Sequence, residues 1–292
     1  MPRVRGSTLQ NKTIFRTFAE NNNRQMLQFV CFGSGSSGNC YYLFDETGGI
    51  MIDAGVGIRS LRKHFADYGI DKTMLKAILV THDHADHIKS VGIISADTEA
   101  PVYSTYAVHH GIEQNYCVRK KIKAGYGRYI KHGDTFDIGA FHVTCFPVPH
   151  DSSDNLGYRI IYRDTVFCII TDAGKVTDEM KQHISQAHYL VIEANYELEK
   201  LQSGPYPQYL KDRITSGSGH LSNVQCGEAI AENASPRLKH VWLAHLSEEN
   251  NHPELARKTV ESVLRSYGIV AGKDFTLDVL KRKTPSEIVT LC

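Results

Sequence analysis

The chain has 292 residues, a length that fits either two domains of ordinary size or one large α/β domain. Its 41% hydrophobic and 22% charged residues are typical of a globular protein and exclude a disordered chain, a collagen-like repeat and a coiled coil. No apolar run approaches the roughly 18 residues of a transmembrane helix. A net charge of +1 excludes a polycation whose whole surface attracts nucleic acid.

The first 25 residues differ from the rest of the chain because they are polar and basic. They contain five Lys or Arg residues against Glu20 alone, a net charge of +4, and they lack the apolar segment of a secretory signal. We therefore expect residues 1–25 to be a poorly ordered extension and residues 26–292 to form a single domain. The seven widely spaced cysteines contain no C-x-x-C pair, which predicts reduced thiols in a cytoplasmic protein.

From Leu27 onward, apolar stretches alternate with amphipathic segments, which predicts an alternation of strands and helices. The predicted strands are Leu27–Phe32, Cys40–Phe44, Ile50–Asp53, Ala77–Thr81, Val102–Ser104, Phe141–Phe146, Gly157–Tyr162, Val166–Thr171, Tyr189–Ala194, Val241–Ala244 and Phe275–Leu280. The predicted helices are Gly57–Tyr68, His87–Ile94, Thr105–Tyr116, Asp178–Gln186, Asn223–Glu232 and Pro253–Tyr267. Two halves that each mix strands and helices predict an α/β (α+β) sandwich of sheets covered by helices.

The strongest chemical signal follows the apolar run Ala77–Val80, where a predicted strand ends. Residues 81–87 read Thr-His-Asp-His-Ala-Asp-His, and four of them are of metal-ligand type: His82, His84, Asp86 and His87. His82 and His84 lie two apart, so both point to the same side while the chain is extended. Nothing structural favours so many imidazoles at a strand end, and imidazole is the commonest metal ligand. The segment therefore predicts a metal site rather than a solvated polar turn.

Three later positions also place a ligand-type residue soon after an apolar stretch. These are His150 after Phe141–Val148, Asp172 after Val166–Ile170, and His245 after Val241–Ala244. Loops at strand ends are where ligand sites are usually built. We therefore expect these residues to complete the site that residues 82–87 begin.

These residues resemble the metallo-β-lactamase-fold hydrolases, whose pattern H-x-H-x-D-H occurs here at 82–87. The segment Phe32–Asn39 and the triplet Asp53-Ala54-Gly55 match the start of that fold. Four further strings resemble the YycJ/WalJ-like branch, namely GSGSSGNC at 33–40, PHDSSDN at 149–155, IEANY at 192–196 and GHLSN at 219–223. The resemblance covers about residues 26–290. It implies phosphodiester hydrolysis of nucleic acid, close to ribonuclease Z and the β-CASP nucleases.

The resemblance also implies an αββα sandwich with two metal sites. One site uses His82, His84 and His150, and the other uses Asp86, His87 and His245. Asp172 bridges both ions together with a hydroxide, and Asp53 supports the ligating histidines without reaching the metal. Two divalent cations are therefore expected, with Zn²⁺ suited to the three-histidine site. The second site has more carboxylate character and suits Mn²⁺ or Fe²⁺ as well.

A separate histidine, His220, leaves two interpretations open. In ribonuclease Z-like sequences, a histidine before a helix precedes the metal-binding histidine that follows the next strand, here His245. On this interpretation His220 protonates the leaving oxygen or contacts phosphate, and with Asp86 it is a predicted catalytic residue. On the alternative, His220 is the metal ligand and His245 only supports the site.

The loop 33–39 combines three glycines and three serines, so its backbone N–H groups can approach an anion closely. Ser34, Ser36, Ser37 and Asn39 are therefore predicted substrate contacts, and a tight turn between two strands is the alternative. Asn195, at a predicted strand end, is either a further substrate contact or a plain turn residue.

A basic segment follows the third predicted helix and contains no acidic residue. It carries Arg119, Lys120, Lys121, Lys123, Arg128 and Lys131, with Tyr126 and Tyr129 between them. Such a segment can neutralise phosphates and stack on bases. The alternative is a solvated face of an ordinary connection.

Together these features predict a cytoplasmic metal-dependent hydrolase. The function we expect is a nuclease that cleaves phosphodiester bonds of DNA or RNA by attack of a metal-bridging hydroxide, with an exonuclease favoured. Nucleic acid is then the expected partner, and a membrane is not. Two alternatives stay open: a hydrolase of a small thioester, lactone or cyclic nucleotide, and a non-catalytic binding module on the same fold. The basic segment favours the nuclease, because a small-molecule hydrolase needs no basic track.

Overall fold

The computed structural model describes residues 26–292, so the extension expected at 1–25 lies outside the described residues. The strands are β1 Leu27–Gly33, β2 Cys40–Asp45, β3 Gly48–Ile52, β4 Leu75–Leu79, β5 Val102–Ser104, β6 Gly127–Tyr129, β7 Thr135–Ile138, β8 Phe141–Pro147, β9 Leu156–Tyr162, β10 Thr165–Ile170, β11 Tyr189–Glu193, β12 His240–Ala244, β13 Thr276–Val279 and β14 Val289–Leu291. The helices are α1 Ile58–Asp67, α2 Ala85–Ile88, α3 Val91–Thr98, α4 Tyr106–Gln114, α5 Asp178–Gln186, α6 Leu198–Ser203, α7 Gln208–Thr215, α8 Asn223–Asn233 and α9 Pro253–Ser266, with a 3₁₀ turn at Lys72–Met74.

The strands form two seven-stranded mixed sheets, each with a parallel and an antiparallel half. The first sheet has the order β14-β1-β2-β3-β4-β5-β6, and the second has the order β13-β12-β11-β10-β9-β8-β7. In the first sheet, β3 to β6 run parallel to one another. In the second, β10 to β13 run parallel. The carboxyl ends of several neighbouring strands therefore lie along one edge of each sheet.

Three apolar layers hold the sheets and helices together, because successive side chains of a strand point to opposite faces. Phe29 points into the layer between the sheets, where its ring centroid lies 4.7 Å from that of Trp242 and 5.2 Å from that of Phe167. Its neighbour Val30 points to the outer layer of the first sheet. The outer layer of the second sheet contains residues of α5, α8 and α9. The predicted αββα sandwich is confirmed.

The sequence located the principal elements well. Every predicted strand occurs, with its ends displaced by at most two residues, and the helix Asp178–Gln186 has the predicted bounds. Strands β6, β7 and β14 and helices α6 and α7 were not predicted. The three strands have three or four residues each, and the two helices lie beside Pro205 and Pro207, so local patterning is weak there.

The predicted helix His87–Ile94 is wrong, since the structure has the separate helices α2 and α3 there. The carbonyl oxygens of Asp86 and His87 accept hydrogen bonds from the backbone N–H groups of Asn39 and Ala54, both at 2.7 Å. The backbone N–H of Ser90 donates to the carbonyl of Ala54 at 2.8 Å. These loop contacts take up the groups that a continuous helix would use for its own ladder.

None of the helices between residues 26 and 292 is both long enough and apolar enough to cross a bilayer.

His183 on α5 is a half-buried histidine far from the predicted ligands in sequence, and its ring stacks on Phe146 at a centroid distance of 4.0 Å. Burial, followed by the charge of Arg159, lowers the pKa of His183 from 6.5 to about 4. Between these two values the unfolded chain binds a proton that the folded chain does not, so stability falls as the pH falls through this window.

We predict that His183→Phe makes the free energy of unfolding depend less steeply on pH between about 4 and 6.5. Phenylalanine keeps the stacked ring but does not titrate. Denaturant unfolding of both proteins across this window measures the difference in slope. Identical slopes would show that His183 ionises equally in both states.

Candidate metal centre

The predicted ligand residues come from both sheets and meet at one end of the sandwich. β4 leads into His82 and His84, β8 into His150, β10 into Asp172 and β12 into His245, while α2 carries Asp86 and His87. These residues, with Glu193 and His220, fall into four overlapping groups, within each of which the donor atoms lie within 4.8 Å of one another. The structure thus brings together all seven predicted ligands.

The first group contains His82, His84 and His150. His150 Nδ1 donates to the carbonyl of Gly219 at 3.0 Å, which leaves Nε2 as an acceptor, 3.3 Å from His84 Nδ1. His82 Nε2 is buried and has no hydrogen-bond partner among residues 26–292. A buried ring nitrogen without a partner is costly unless a cation occupies its lone pair. These donors therefore fit a divalent metal.

The second group contains Asp86, His87 and His245. Asp86 Oδ2 lies 3.6 Å from His87 Nε2 and 3.4 Å from His245 Nε2. Because one carboxylate oxygen faces two ring nitrogens, the group offers one oxygen and two nitrogen donors to a second cation.

Asp172 lies between the two groups and has its two oxygens on different neighbours. Oδ2 is 3.3 Å from His87 Nε2, and Oδ1 is 3.3 Å from His245 Nδ1 and 3.8 Å from His150 Nε2. A carboxylate so placed can ligate one cation through each oxygen.

The turns that carry these residues are strained. Asp53, Asp172 and His245 have φ values of 58°, 56° and 52°, and they are three of the five non-glycine residues with positive φ in the described part of the chain. Such conformations cost about 1–3 kcal/mol each and persist where the surroundings hold them in place. Asp53 and His245 directly follow β3 and β12, and Asp172 comes two residues after the end of β10.

Asp53, which the family resemblance implies as a support for the ligating histidines, contacts the ring of His87. Its Oδ2 accepts from His87 Nδ1 at 2.7 Å, and its Oδ1 accepts from the backbone N–H of Thr81 at 2.8 Å. This bond fixes the His87 ring with Nε2 directed at Asp86 and Asp172. Burial outweighs the nearby His87 and raises the pKa of Asp53.

Glu193, the last residue of β11, is a functional candidate that sequence reasoning missed. It is fully buried, and its Oε1 accepts from His220 Nδ1 at 2.7 Å and lies 3.0 Å from His245 Nδ1. Its Oε2 accepts from the backbone N–H groups of Ala173 and Leu221 at 2.9 and 3.1 Å. The sequence did contain the pattern that identified Asp172. Glu193 follows the apolar run Tyr189–Ile192, as Asp172 follows the apolar run Val166–Ile170.

The carboxylates make this region favourable for positive charge. Burial alone lowers the pKa of His245, but Asp172, Asp86 and Glu193 outweigh it and raise the pKa to about 10. Burial likewise lowers the pKa of His87, and Asp172, Asp53 and Asp86 raise it well above its usual value.

The opposite holds for His82, whose pKa lies well below the usual range because of burial and then the charge of His87. His82 is therefore a neutral ring whose lone pair is available to a cation. For Asp172, burial opposes ionisation, but His245 and His87 hold its pKa well below the ordinary value.

The predicted substrate contacts occupy two kinds of position. Ser36 and Ser37 are exposed at the tip of the loop 33–39. Ser34, Asn39 and Asn195 are buried: the Ser34 hydroxyl accepts from the backbone N–H of His245 at 2.8 Å, and the Asn39 amide lies 2.9 Å from His87 Nε2. Asn195 Nδ2 donates to the carbonyl of His245 at 2.8 Å. These three side chains support the metal loops.

Comparison with known proteins agrees with this arrangement. A family model described as the beta-lactamase superfamily domain matches residues 49–245. Exodeoxyribonuclease YycJ of Bacillus anthracis is 33% identical over 262 residues, which cover 90% of this chain and 98% of that protein. Exodeoxyribonuclease WalJ of Streptococcus pneumoniae serotype 2 is 34% identical over 248 residues, covering 85% and 92%. This chain belongs to the metallo-β-lactamase superfamily, in its YycJ/WalJ-like branch.

A solved structure of the superfamily confirms the fold. The metallo-β-lactamase fold protein YhfI of Bacillus subtilis superposes with a TM-score of 0.66 at 18% identity and covers 89% of this chain and 99% of its own. Membership of the metallo-β-lactamase superfamily confirms a metal-dependent hydrolase, and the donor groups support the use of a divalent metal.

Gly55 packs closely against α2, the helix that carries Asp86 and His87, and a substitution can test whether this contact positions the two side chains. A Cβ atom on Gly55 would lie 1.6 Å from the carbonyl oxygen of Asp86, whereas one on Gly57 would have no neighbour within 4 Å. We predict that Gly55→Ala displaces Asp86 and His87, lowers the bound metal and costs about 1–3 kcal/mol of stability. Metal analysis and thermal unfolding measure both effects. Gly57→Ala is the matched control, and equal metal content in the two variants would contradict the prediction.

Proposed function

We propose that this chain is a two-metal exodeoxyribonuclease. The observation that carries the proposal is the position of Asp172 between the two donor groups. Its Oδ2 lies 3.3 Å from His87 Nε2 of the second group, and its Oδ1 lies 3.3 Å from His245 Nδ1 of that group and 3.8 Å from His150 Nε2 of the first. Paired cations of this kind serve phosphoryl transfer in many nucleases. The relatives YycJ and WalJ, which are named exodeoxyribonucleases, align over 98% and 92% of their own lengths, and this supports DNA as the substrate.

The donor chemistry supports Zn²⁺ in the first group. Three imidazoles, His82, His84 and His150, are a typical catalytic zinc set. Asp86, His87 and His245 form the second set, whose additional carboxylate also suits Mn²⁺ or Fe²⁺. On this proposal His245 is the seventh ligand, because its Nε2 lies 3.4 Å from Asp86 Oδ2.

Bound at these donors, two divalent cations supply an activated water and neutralise charge on the phosphate oxygens. His220 holds the proton for the leaving oxygen. Its Nδ1 donates to Glu193, so Nε2 is the nitrogen left to deliver that proton to the substrate. Glu193 is a positioning residue. Two backbone N–H groups hold its Oε2, so its Oε1 is fixed in place and restrains the orientation of the His220 ring.

We also propose that the protein works in the cytoplasm. All seven cysteine thiols are free, and five of them are buried. Free thiols are typical of proteins in reducing compartments.

The proposed activity predicts metal-dependent degradation of DNA from an end. Purified protein is incubated with Zn²⁺, Mn²⁺ or Mg²⁺ and with end-labelled single-stranded and duplex DNA and RNA. We expect short products released from a DNA terminus, and none after chelation of the metal. Internal cuts alone would contradict an exonuclease, and hydrolysis of only a thioester or lactone in the same series would contradict a nuclease.

The assignment of His220 and His245 predicts different losses in two variants. We expect His220→Ala to retain both metals and to lose about 10²–10⁴-fold in turnover, the usual contribution of a general acid. His245→Ala should lose one metal equivalent. Metal analysis beside kcat separates the two cases, and His142→Ala, which removes a surface ring with a half-exposed side chain, is the control. Loss of a metal from His220→Ala would reverse the assignment.

A further inference from the structure

An exposed cluster of aromatic rings lies beside α4 and β6. Tyr106 and Tyr129 are 70% and 66% exposed, and their ring centroids are 5.7 Å apart. His110, one helical turn after Tyr106, is nearly parallel to it, with an interplanar angle of 9° at 6.5 Å. We call Tyr106, His110 and Tyr129 the aromatic shelf. Large aromatic side chains grouped on a surface mark binding sites more often than isolated ones do.

The aromatic shelf forms one wall of an open groove of about 450 Å³. Lys123 also lines this groove and lies 5.6 Å above the ring of Tyr126. One acidic residue, Glu113, lies at the groove. The sequence between positions 114 and 133 nevertheless contains six Lys or Arg residues and no Asp or Glu, so the surroundings are strongly basic.

Two members of the basic segment serve the structure. Lys121 Nζ donates to the carbonyls of Ile112 and Asn115 at the end of α4, at 3.1 and 2.8 Å. Arg128 donates to the carbonyls of Gly125 and Gly127 at 2.6 and 3.0 Å. The Lys121 bonds hold this segment against the end of α4, and the Arg128 bonds stabilise the turn before Tyr129.

The helix that carries Tyr106 and His110 contacts the loop of His82 and His84. A Cβ atom on Gly111 would lie 1.9 Å from Asp83 Oδ2, and Asn115 Nδ2 donates to the Asp83 carbonyl at 3.0 Å. Tyr106 stands five residues before Gly111, about 7.5 Å along the helix axis. β5, which leads into Tyr106, is also the direct neighbour of β4, which leads into His82.

We propose that the aromatic shelf binds unpaired bases of a single DNA strand next to the cleaved phosphodiester. Every base has a face that stacks on an aromatic ring, and the basic residues neutralise the backbone phosphates. A duplex hides its base faces, so the shelf selects single-stranded or frayed ends. This inference rests on the proposed nuclease function and adds the form of the substrate.

The test compares holoenzyme variants in binding and hydrolysis. Binding is measured with a fluorescent single-stranded phosphorothioate oligonucleotide, which resists cleavage, and the metal centre is followed separately with bis(4-nitrophenyl) phosphate. We expect Tyr106→Ala/Tyr129→Ala to weaken oligonucleotide binding at least about fivefold, the lower end for loss of a base stack. Hydrolysis of the small diester should stay unchanged. Tyr106→Phe/Tyr129→Phe should bind like the native protein, because stacking needs the ring and not the hydroxyl.

Two further comparisons separate stacking from charge and from general surface effects. The tyrosine-to-alanine variant should keep the native dependence of affinity on salt, whereas Lys123→Ala should make that dependence shallower. Tyr267→Ala, at the end of α9, removes a half-exposed ring elsewhere and should change nothing.

The possible outcomes distinguish failure of the aromatic shelf from failure of the proposed nuclease function. Native affinity in a folded Tyr106→Ala/Tyr129→Ala variant of an active nuclease overturns the shelf alone. A native protein that hydrolyses the small diester but neither binds nor cleaves any DNA overturns both the shelf and the proposed function.

Discussion

The packing of two sheets face to face is the constraint on which the site depends. His82, His84 and His87 come from the first sheet and the helix after it, and Asp172 and His245 come from the second. The group of His82, His84 and His150 and the group of Asp86, His87 and His245 each combine residues that follow strands of both sheets. The aromatic contacts of Phe29 with Phe167 and Trp242 join the two sheets from which the donors come. The chemistry at the edge thus depends on close packing in the apolar interior.

The centre gathers imidazoles and carboxylates that are costly to bury one by one. Each is tolerated because a neighbour satisfies it: Asp53 holds His87, and Glu193 holds His220 and His245. The exception is His82 Nε2, which has no partner among the described residues. A divalent cation would satisfy that nitrogen and offset the repulsion among the carboxylates, so metal binding and folding of these loops are linked.

The strands that lead to the candidate metal centre differ from the strand that leads to Tyr106. The donors after β4, β8, β10 and β12 form the candidate metal centre, and Glu193 at the end of β11 accepts a hydrogen bond from the ring of His220 beside it. The end of β5 leads instead to exposed Tyr106. Neighbouring strands of one sheet therefore lead to the candidate metal centre and to the proposed aromatic shelf, with α4 and the Asp83 loop in contact between them.

The sequence by itself determined most of the strands and the positions of the candidate ligand residues, because both are local features. A ligand-type residue soon after an apolar run can be recognised in the linear sequence. The parallel halves of the sheets then bring such residues to one edge. The bounds of the buried strands followed from hydrophobic runs for the same reason. Short strands such as β6 have no such run and form because β5 offers a partner, which sequence patterning cannot reveal.

Only the tertiary structure decided the contacts made between distant segments. It divided the predicted helix His87–Ile94, because the backbone of Ala54 bonds to the His87 carbonyl and to the Ser90 N–H. It placed Glu193 between His220 and His245, and it grouped Tyr129 with Tyr106 rather than leaving it with its sequence neighbour Tyr126. The physical reason is the same in all three cases. The packing of helices and sheets decides which groups come into contact, whereas the local sequence specifies only which residue is present at each position.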